Sequence, residues 1–143
     1  MRTKSLLLVA LQLVVLVLLL ATGPLLARTP AWLALEGAGV GLGLWAMVAM
    51  GRHLRATPEP AAGARLLQHG PYRWIRHPMY SATLLVAAAL VANQASVLRV
   101  ALVVALVLIL VVKLRHEERL LRQHFPGYAG YQQRTKRLCP GLW

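Results

Sequence analysis

Apolar residues form four long runs along the chain, separated by short polar breaks. The runs cover residues 5–27, 32–50, 79–92 and 97–112. The first run is long enough to cross ~30 Å of hydrocarbon as a helix that rises about 1.5 Å per residue. The third run is short, so it crosses only if it is tilted or if the preceding residues enter the membrane. The pattern predicts an all-α integral membrane protein with about four transmembrane helices, in a single domain of residues 1–143.

The breaks between the runs contain residues that typically end helices. Gly23-Pro24 predicts an end or a kink late in the first run, and residues 93–96 form a tight polar turn. The fourth run shows no stop at Lys113, because apolar residues continue to recur among the charges. The last helix is therefore predicted to leave the membrane, to project about three turns beyond it, and to end at residues 125–127.

A secretory signal peptide is the alternative interpretation of the first run. Arg2 and Lys4 precede the run, and small residues occur near Ala21. The run is longer than the ~7–15 residues of a usual signal-peptide core, which favours a retained helix.

The second run contains four glycines at alternate positions: Gly37, Gly39, Gly41 and Gly43. A nucleotide-binding glycine motif requires a preceding strand, and an apolar run precedes these glycines instead. Glycines four residues apart let another helix approach closely in a membrane. The spacing therefore favours helix packing over nucleotide binding.

The chain has a net charge of +12, with 16 basic residues, four acidic residues and 58% hydrophobic residues. The basic residues flank the apolar runs instead of forming a continuous face, which favours a lipid bilayer over nucleic acid as the partner. Fourteen of the 16 precede the first run, lie within residues 51–78, or follow residue 112. The positive-inside rule predicts that both termini and these segments are cytoplasmic.

Residues 69–80 hold aromatic, basic and histidine side chains at the predicted membrane border, where ionisable groups indicate a functional site. Glu117 and Glu118 are predicted on the same face of the membrane, adjacent on a helix and about 100° apart. The alternative is that they are solvated charges, with Glu118 paired to Arg122 one turn later. Taken together, these groups predict a pocket for a zwitterionic or cationic ligand, with an apolar partner that enters from the lipid.

Metal and nucleophile chemistry have less support in the sequence. The candidate metal ligands His69, His77, His116 and His124 lack HExxH or HxxEH spacing. No metal site is therefore predicted. The single Cys139 excludes an intramolecular disulfide, and neither Cys139 nor Ser81 has an evident triad partner.

The polar motifs resemble those of the isoprenylcysteine carboxyl methyltransferase family and the related phospholipid methyltransferases. The likeness covers residues 65–143. The motifs are Gly70-Pro71-Tyr72, Arg76-His77-Pro78-x-Tyr80, Glu117-Glu118, Tyr128-x-x-Tyr131-x-x-Arg134 and Arg137-x-x-Pro140. Two alternatives remain open. Sterol-type membrane reductases share the RHPxY motif but usually carry Asn where Met79 stands, and a non-catalytic membrane subunit would keep the fold.

The resemblance implies S-adenosylmethionine as cofactor and a lipophilic methyl acceptor at the cytoplasmic face, in what the residue usage suggests is a bacterial cytoplasmic membrane. The implied cofactor-binding residues are Gly70, Tyr72, Arg76, His77, Pro78, Tyr80, Glu117 and Glu118. The implied catalytic residues are Tyr131, Arg134 and Arg137, with Arg134 orienting a substrate carboxylate. A carboxylate acceptor is already ionised and needs no general base. An amine acceptor would need one, with Glu117, Glu118 or Tyr131 as the candidate.

Overall fold

The structure, a computed structural model, describes residues 2–51 and 66–139. The helices are α1 (Arg2–Ala21), α2 (Pro30–Met50), α3 (Pro78–Asn93), α4 (Val97–His124) and α5 (Tyr128–Arg134), with a 3₁₀ turn (Gly70–Arg73) before α3. Three of them, α1, α2 and α4, are long and apolar enough to cross a membrane, and α3 is a shorter apolar helix. An all-α integral membrane fold is thereby confirmed.

The helix ends follow the local sequence, with one difference from the predicted spans. The first span is predicted to reach residue 27, but α1 ends at Ala21. Gly23 and Pro24 explain the earlier end, because the backbone before a proline avoids the helical region. As predicted, α4 continues without interruption through Lys113 and ends at His124, just before the Phe125–Gly127 segment.

Two packing pairs build the bundle: α2 lies along α3, and α1 lies along α4. Gly39 allows the first pair to approach closely, since a Cβ there would lie 2.8 Å from Val86 Cγ2 and 3.1 Å from the carbonyl oxygen of Ala82. A Cβ on Gly37 or Gly41 would meet nothing within 4 Å. The predicted packing role therefore applies to only one of the two glycine faces.

Contacts at the helix ends show that the two helices of each pair run antiparallel. The Ser5 hydroxyl lies 3.2 Å from His116 Nε2, which places the start of α1 beside the last third of α4. At the other end of the bundle, the Arg28 amide donates to Asn93 Oδ1 at 2.7 Å and joins the turn after α1 to the end of α3. The core between these ends consists of Leu19, Tyr80, Ala87, Leu106, Leu110 and Leu114.

Two features of the sequence fall outside the described residues. A short interfacial helix is predicted around residues 61–68; residues 66–68 are not helical, and the rest of this segment lies in residues 52–65. The last position of the tail motif, Pro140, lies in residues 140–143. Both stay predictions.

Candidate active site

The residues that the sequence singles out meet at one end of the bundle, which we call the polar end and define as residues 69–80 and 113–138. Backbone pairing with the tail holds the first of these segments in place. The Arg76 amide donates to the Lys136 carbonyl oxygen at 2.8 Å, and the His77 amide donates to the Arg137 carbonyl oxygen at 3.0 Å. This short parallel pairing fixes the positions from which the Arg76 and His77 side chains reach α4.

Local sequence explains how the chain turns between α2 and this pairing. Gly70 has a φ of +59°, and a Cβ on it would lie 2.9 Å from Ala49 Cβ, so a larger residue would be strained and crowded. Trp74 packs edge-on against Trp45 of α2, with the ring centroids 5.8 Å apart. Pro78 then occupies the first turn of α3, where a missing amide hydrogen costs no hydrogen bond.

Glu118 is the centre of a buried ion-pair network. Its Oε1 lies 2.8 Å from Arg76 Nε, and the two side chains are 4% and 8% exposed. Its Oε2 accepts a hydrogen bond from Arg137 Nε at 3.2 Å. Arg76 Nη1 also donates to the carbonyl oxygens of Gln132 (3.1 Å) and Thr135. Because these bonds tie Arg76 to α4 and to the tail at once, the network locks the three segments together.

Glu117 points to a different set of partners. It accepts a hydrogen bond from the Tyr80 hydroxyl, and its Oε2 lies 3.5 Å from His77 Nδ1. His77 Nε2 lies 3.6 Å from Glu118 Oε1, and the His77 ring stacks on the Tyr80 ring at a centroid distance of 5.4 Å. The adjacent glutamates thus diverge, as their spacing predicts, and His77 lies between them.

Two opposing effects act on the pKa of His77. Burial lowers it, but hydrogen bonding to Glu117 and Glu118 and the charges of these carboxylates outweigh burial and raise it above the ordinary value of 6.5. The structure therefore favours the charged imidazolium between the two carboxylates.

The three predicted catalytic residues of the tail differ in whether they contact the rest of the site. Arg137 contacts Glu118, and the Tyr131 hydroxyl donates to the Tyr72 carbonyl oxygen at 2.6 Å, which braces α5 against the 3₁₀ turn. Arg134 is exposed and its Nε donates to the Gly130 carbonyl oxygen of its own helix at 3.3 Å. The structure therefore does not bring Arg134 into the glutamate network.

The alternative that Glu117 and Glu118 are merely solvated charges is wrong for Glu118. Its side chain is buried and pairs across the fold, as described above. Arg122, the predicted partner under that alternative, instead donates to Gln132 Oε1 at 2.9 Å.

Polar atoms suited to a ligand surround this network. Among the described residues of the polar end, the buried hydroxyls of Tyr72 and Tyr128 have no hydrogen-bond partner, and His77 Nε2 has only its 3.6 Å contact with Glu118 Oε1. Burial raises the pKa of both tyrosines above the ordinary value of 10, so both phenols stay protonated and can donate at neutral pH. No group of three or more His, Cys, Asp or Glu side chains in residues 2–51 and 66–139 could hold a metal ion.

An apolar groove of about 280 Å³ opens between α1, α2 and α3. Its lining residues are Leu16, Leu19, Leu20, Gly39, Val40, Gly43, Met79, Ala82, Thr83, Val86, Ala87 and Leu90. The α3 residues of this lining run from Met79, beside the site, to Leu90 near the far end of the helix. A hydrocarbon chain in the groove would therefore end at the polar end.

Sequence reasoning missed one group that borders the site. Lys113 Nζ donates to Gln12 Oε1 at 2.9 Å and lies 5.1 Å above the Tyr80 ring. Two signals were available: Lys113 precedes Glu117 by one helical turn and so shares its face, and Gln12 interrupts an otherwise apolar run.

The family model of the phospholipid methyltransferases matches residues 30–127. The chain belongs to this family. The match covers more than half of the chain and includes α2, the RHPxY segment, α3 and both glutamates. The match also confirms the resemblance to the isoprenylcysteine carboxyl methyltransferase-like enzymes. It indicates a membrane methyltransferase without specifying the methyl acceptor. No individually curated protein matches the chain.

Proposed function

We propose that the protein transfers a methyl group from S-adenosylmethionine to a lipophilic acceptor at the cytoplasmic membrane face. The acceptor would be the carboxylate of an isoprenylcysteine-like compound or a related lipid. The observation that carries this proposal is the meeting of His77, Glu117 and the unpartnered Tyr72 hydroxyl beside an apolar groove. A polar ligand and a hydrocarbon chain can thus be bound next to each other.

The residues present fit the chemistry of the cofactor. When bound, it supplies an electrophilic methyl group on a sulfonium, and transfer of that methyl to an acceptor oxygen leaves a neutral thioether. Glu117 can accept hydrogen bonds from an ammonium or from ribose hydroxyls, and charged His77 can hold a carboxylate. Tyr72, Tyr80 and Trp74 can cover the adenine or the sulfonium, since aromatic faces attract cations.

Arg76 and Glu118 have a supporting role in this proposal. Their charges are already paired, and Arg76 binds two carbonyl oxygens of the α5 region as well. We assign them to holding His77 and the tail in register, together with Gly70 and Pro78, which shape the backbone on either side.

The acceptor requires alignment more than proton transfer. A carboxylate acceptor is ionised at neutral pH, so the protein has to orient it and exclude water. The apolar groove supports a lipophilic tail. We propose that the tail residues Tyr131, Arg134 and Arg137 border the acceptor's polar group, with Arg134 accessible to it because its side chain is exposed.

The distribution of charge supports the cytoplasmic orientation. Arg28 and Arg99 are the two basic residues assigned to the other face, and the remaining 14 of 16 lie in segments predicted inside. We propose a bacterial cytoplasmic membrane as the location.

Calorimetry of the purified full chain in detergent tests the proposal. We expect the wild type to bind S-adenosylmethionine and His77→Ala and Glu117→Ala to bind it at least about tenfold more weakly, which is the loss of one charge-assisted contact. His124→Ala is the matched control, because His124 is exposed on the last turn of α4. A wild type without measurable S-adenosylmethionine binding would contradict the proposal.

A further inference from the structure

Lys113 is a buried cation, and as a residue it is 7% exposed. Among the described residues it makes no ion pair within 4 Å, although the charge of Glu117 acts on it from farther away. An ammonium has three N–H donors, and one of them is used, in the 2.9 Å hydrogen bond to Gln12 Oε1. Tyr80 offers the face of its ring 5.1 Å away. Since a buried charge is costly unless it is paired, this cation, which has one hydrogen bond and no ion pair within 4 Å, indicates a binding position for an anion.

The position of Lys113 relative to the groove indicates which molecule carries that anion. Gln12 precedes the groove residue Leu16 by one turn of α1, and Tyr80 follows the groove residue Met79 directly. Leu16 and Met79 both pack against the core cluster that contains Tyr80. The two neighbours of the ammonium therefore lie next to the end of the groove at the polar end.

The spacing along α4 places this cation close to the proposed cofactor site. Lys113 precedes Glu117 by four residues, which corresponds to about 6 Å along the same helix face. Glu117 is the group that we assign to a cationic part of the cofactor. An anion at Lys113 would thus lie about one helical turn from it.

We propose that Lys113 and Gln12 bind the anionic oxygen headgroup, a carboxylate or a phosphate, of the lipophilic acceptor whose tail occupies the groove. This inference rests on the proposed function and extends it, because it assigns the residues that would select an anionic amphiphile as the methyl acceptor. Lys113 is then a specificity-determining residue at the buried side of the site, whereas Arg134 lies exposed on α5.

Palmitate and methyl palmitate are suitable probes, because they share a tail and differ in the negative charge. We expect the wild type in a neutral detergent to bind palmitate about tenfold more tightly than the ester. In Lys113→Met this preference should fall to about twofold or less through weaker palmitate binding, while binding of the ester stays unchanged. Lys113→Arg should keep the preference, since the charge remains. Hexadecyl phosphate distinguishes a phosphate headgroup from a carboxylate.

Arg115→Met is the matched control, because Arg115 is an exposed cation two residues away on the same helix. It should keep the wild-type preference for palmitate. Gln12→Leu provides a second variant that keeps the charge, and we expect it to lower the preference less than Lys113→Met does.

Three results would overturn the inference. One is equal binding of palmitate and its ester by the wild type. Another is loss of the preference in Arg134→Met but not in Lys113→Met. The third is a Lys113→Met protein that loses affinity for S-adenosylhomocysteine but keeps its palmitate preference, because the ammonium would then hold the cofactor's carboxylate. Failure of the proposed function is distinct from all three, since it appears as absent S-adenosylmethionine binding in the wild type.

Discussion

The membrane-crossing part and the polar end of this protein are held together in different ways. Between α2 and α3 the contact depends on shape: Gly39 lies against the backbone and side chains of α3, without a polar bond. At the polar end, Glu118, Arg76 and Arg137 join segments far apart in the chain through charge and hydrogen bonds. We therefore expect added side-chain volume to be harmful at the α2/α3 contact and loss of charge to be harmful at the polar end. Three experiments test this.

Glu118→Gln should give the largest effect. Removing the carboxylate leaves Arg76 buried without its counter-charge, and breaking a buried ion pair in this way costs about 3–5 kcal/mol. We expect a marked fall in the thermal unfolding temperature of the protein in detergent. Glu117→Gln is the matched comparison: it keeps an acceptor for the Tyr80 hydroxyl and should lose about 1 kcal/mol. Equal losses in the two variants would show that the polar end does not depend on the Glu118 network.

Gly39→Ala should have an intermediate effect. The added Cβ would lie 2.8 Å from Val86 Cγ2 and close to the Ala82 carbonyl oxygen, so α2 and α3 must separate at a cost of about 1–3 kcal/mol. Gly41→Ala on the same helix adds the same methyl group where nothing lies within 4 Å. We expect it to be neutral or to stabilise the helix by up to about 1 kcal/mol. A thermal unfolding series in detergent that ranks Gly41→Ala as the more damaging change would contradict the packing described above.

The contribution of His77 to the pH dependence of stability should be the smallest effect, because it comes from one titrating group. The folded-state pKa of His77 lies above the ordinary value of 6.5, so the folded protein holds this proton more tightly than the unfolded chain does. The stabilisation is complete below about pH 6.5 and is lost as the pH rises through the folded-state pKa. Unfolding temperatures of wild type and His77→Gln should therefore converge at higher pH. A constant difference between them at all pH values would assign the effect to packing instead of charge.

Some features of the site could be predicted because they depend on local sequence. Pro71 and Pro78 forbid one continuous helix through this segment, and adjacent glutamates on a helix must diverge. The pairing of Glu118 with Arg76 and Arg137 could not be predicted, since the polar end holds nine arginine and lysine residues and the sequence does not show which of them reach Glu118. The parallel pairing of residues 74–77 with residues 136–137 selects Arg76 and Arg137.

The apolar helices, the continuation of α4 beyond Lys113 and the family could all be predicted from the chain, because they follow from the length of apolar runs and from local motifs. Three features become visible only in the folded protein: which glycine face packs, where Arg134 lies, and the burial of Lys113 against Gln12 and Tyr80. These depend on the rotation of each helix about its axis. That rotation is set by the neighbouring helices, and helices that are apolar all round carry little signal for it.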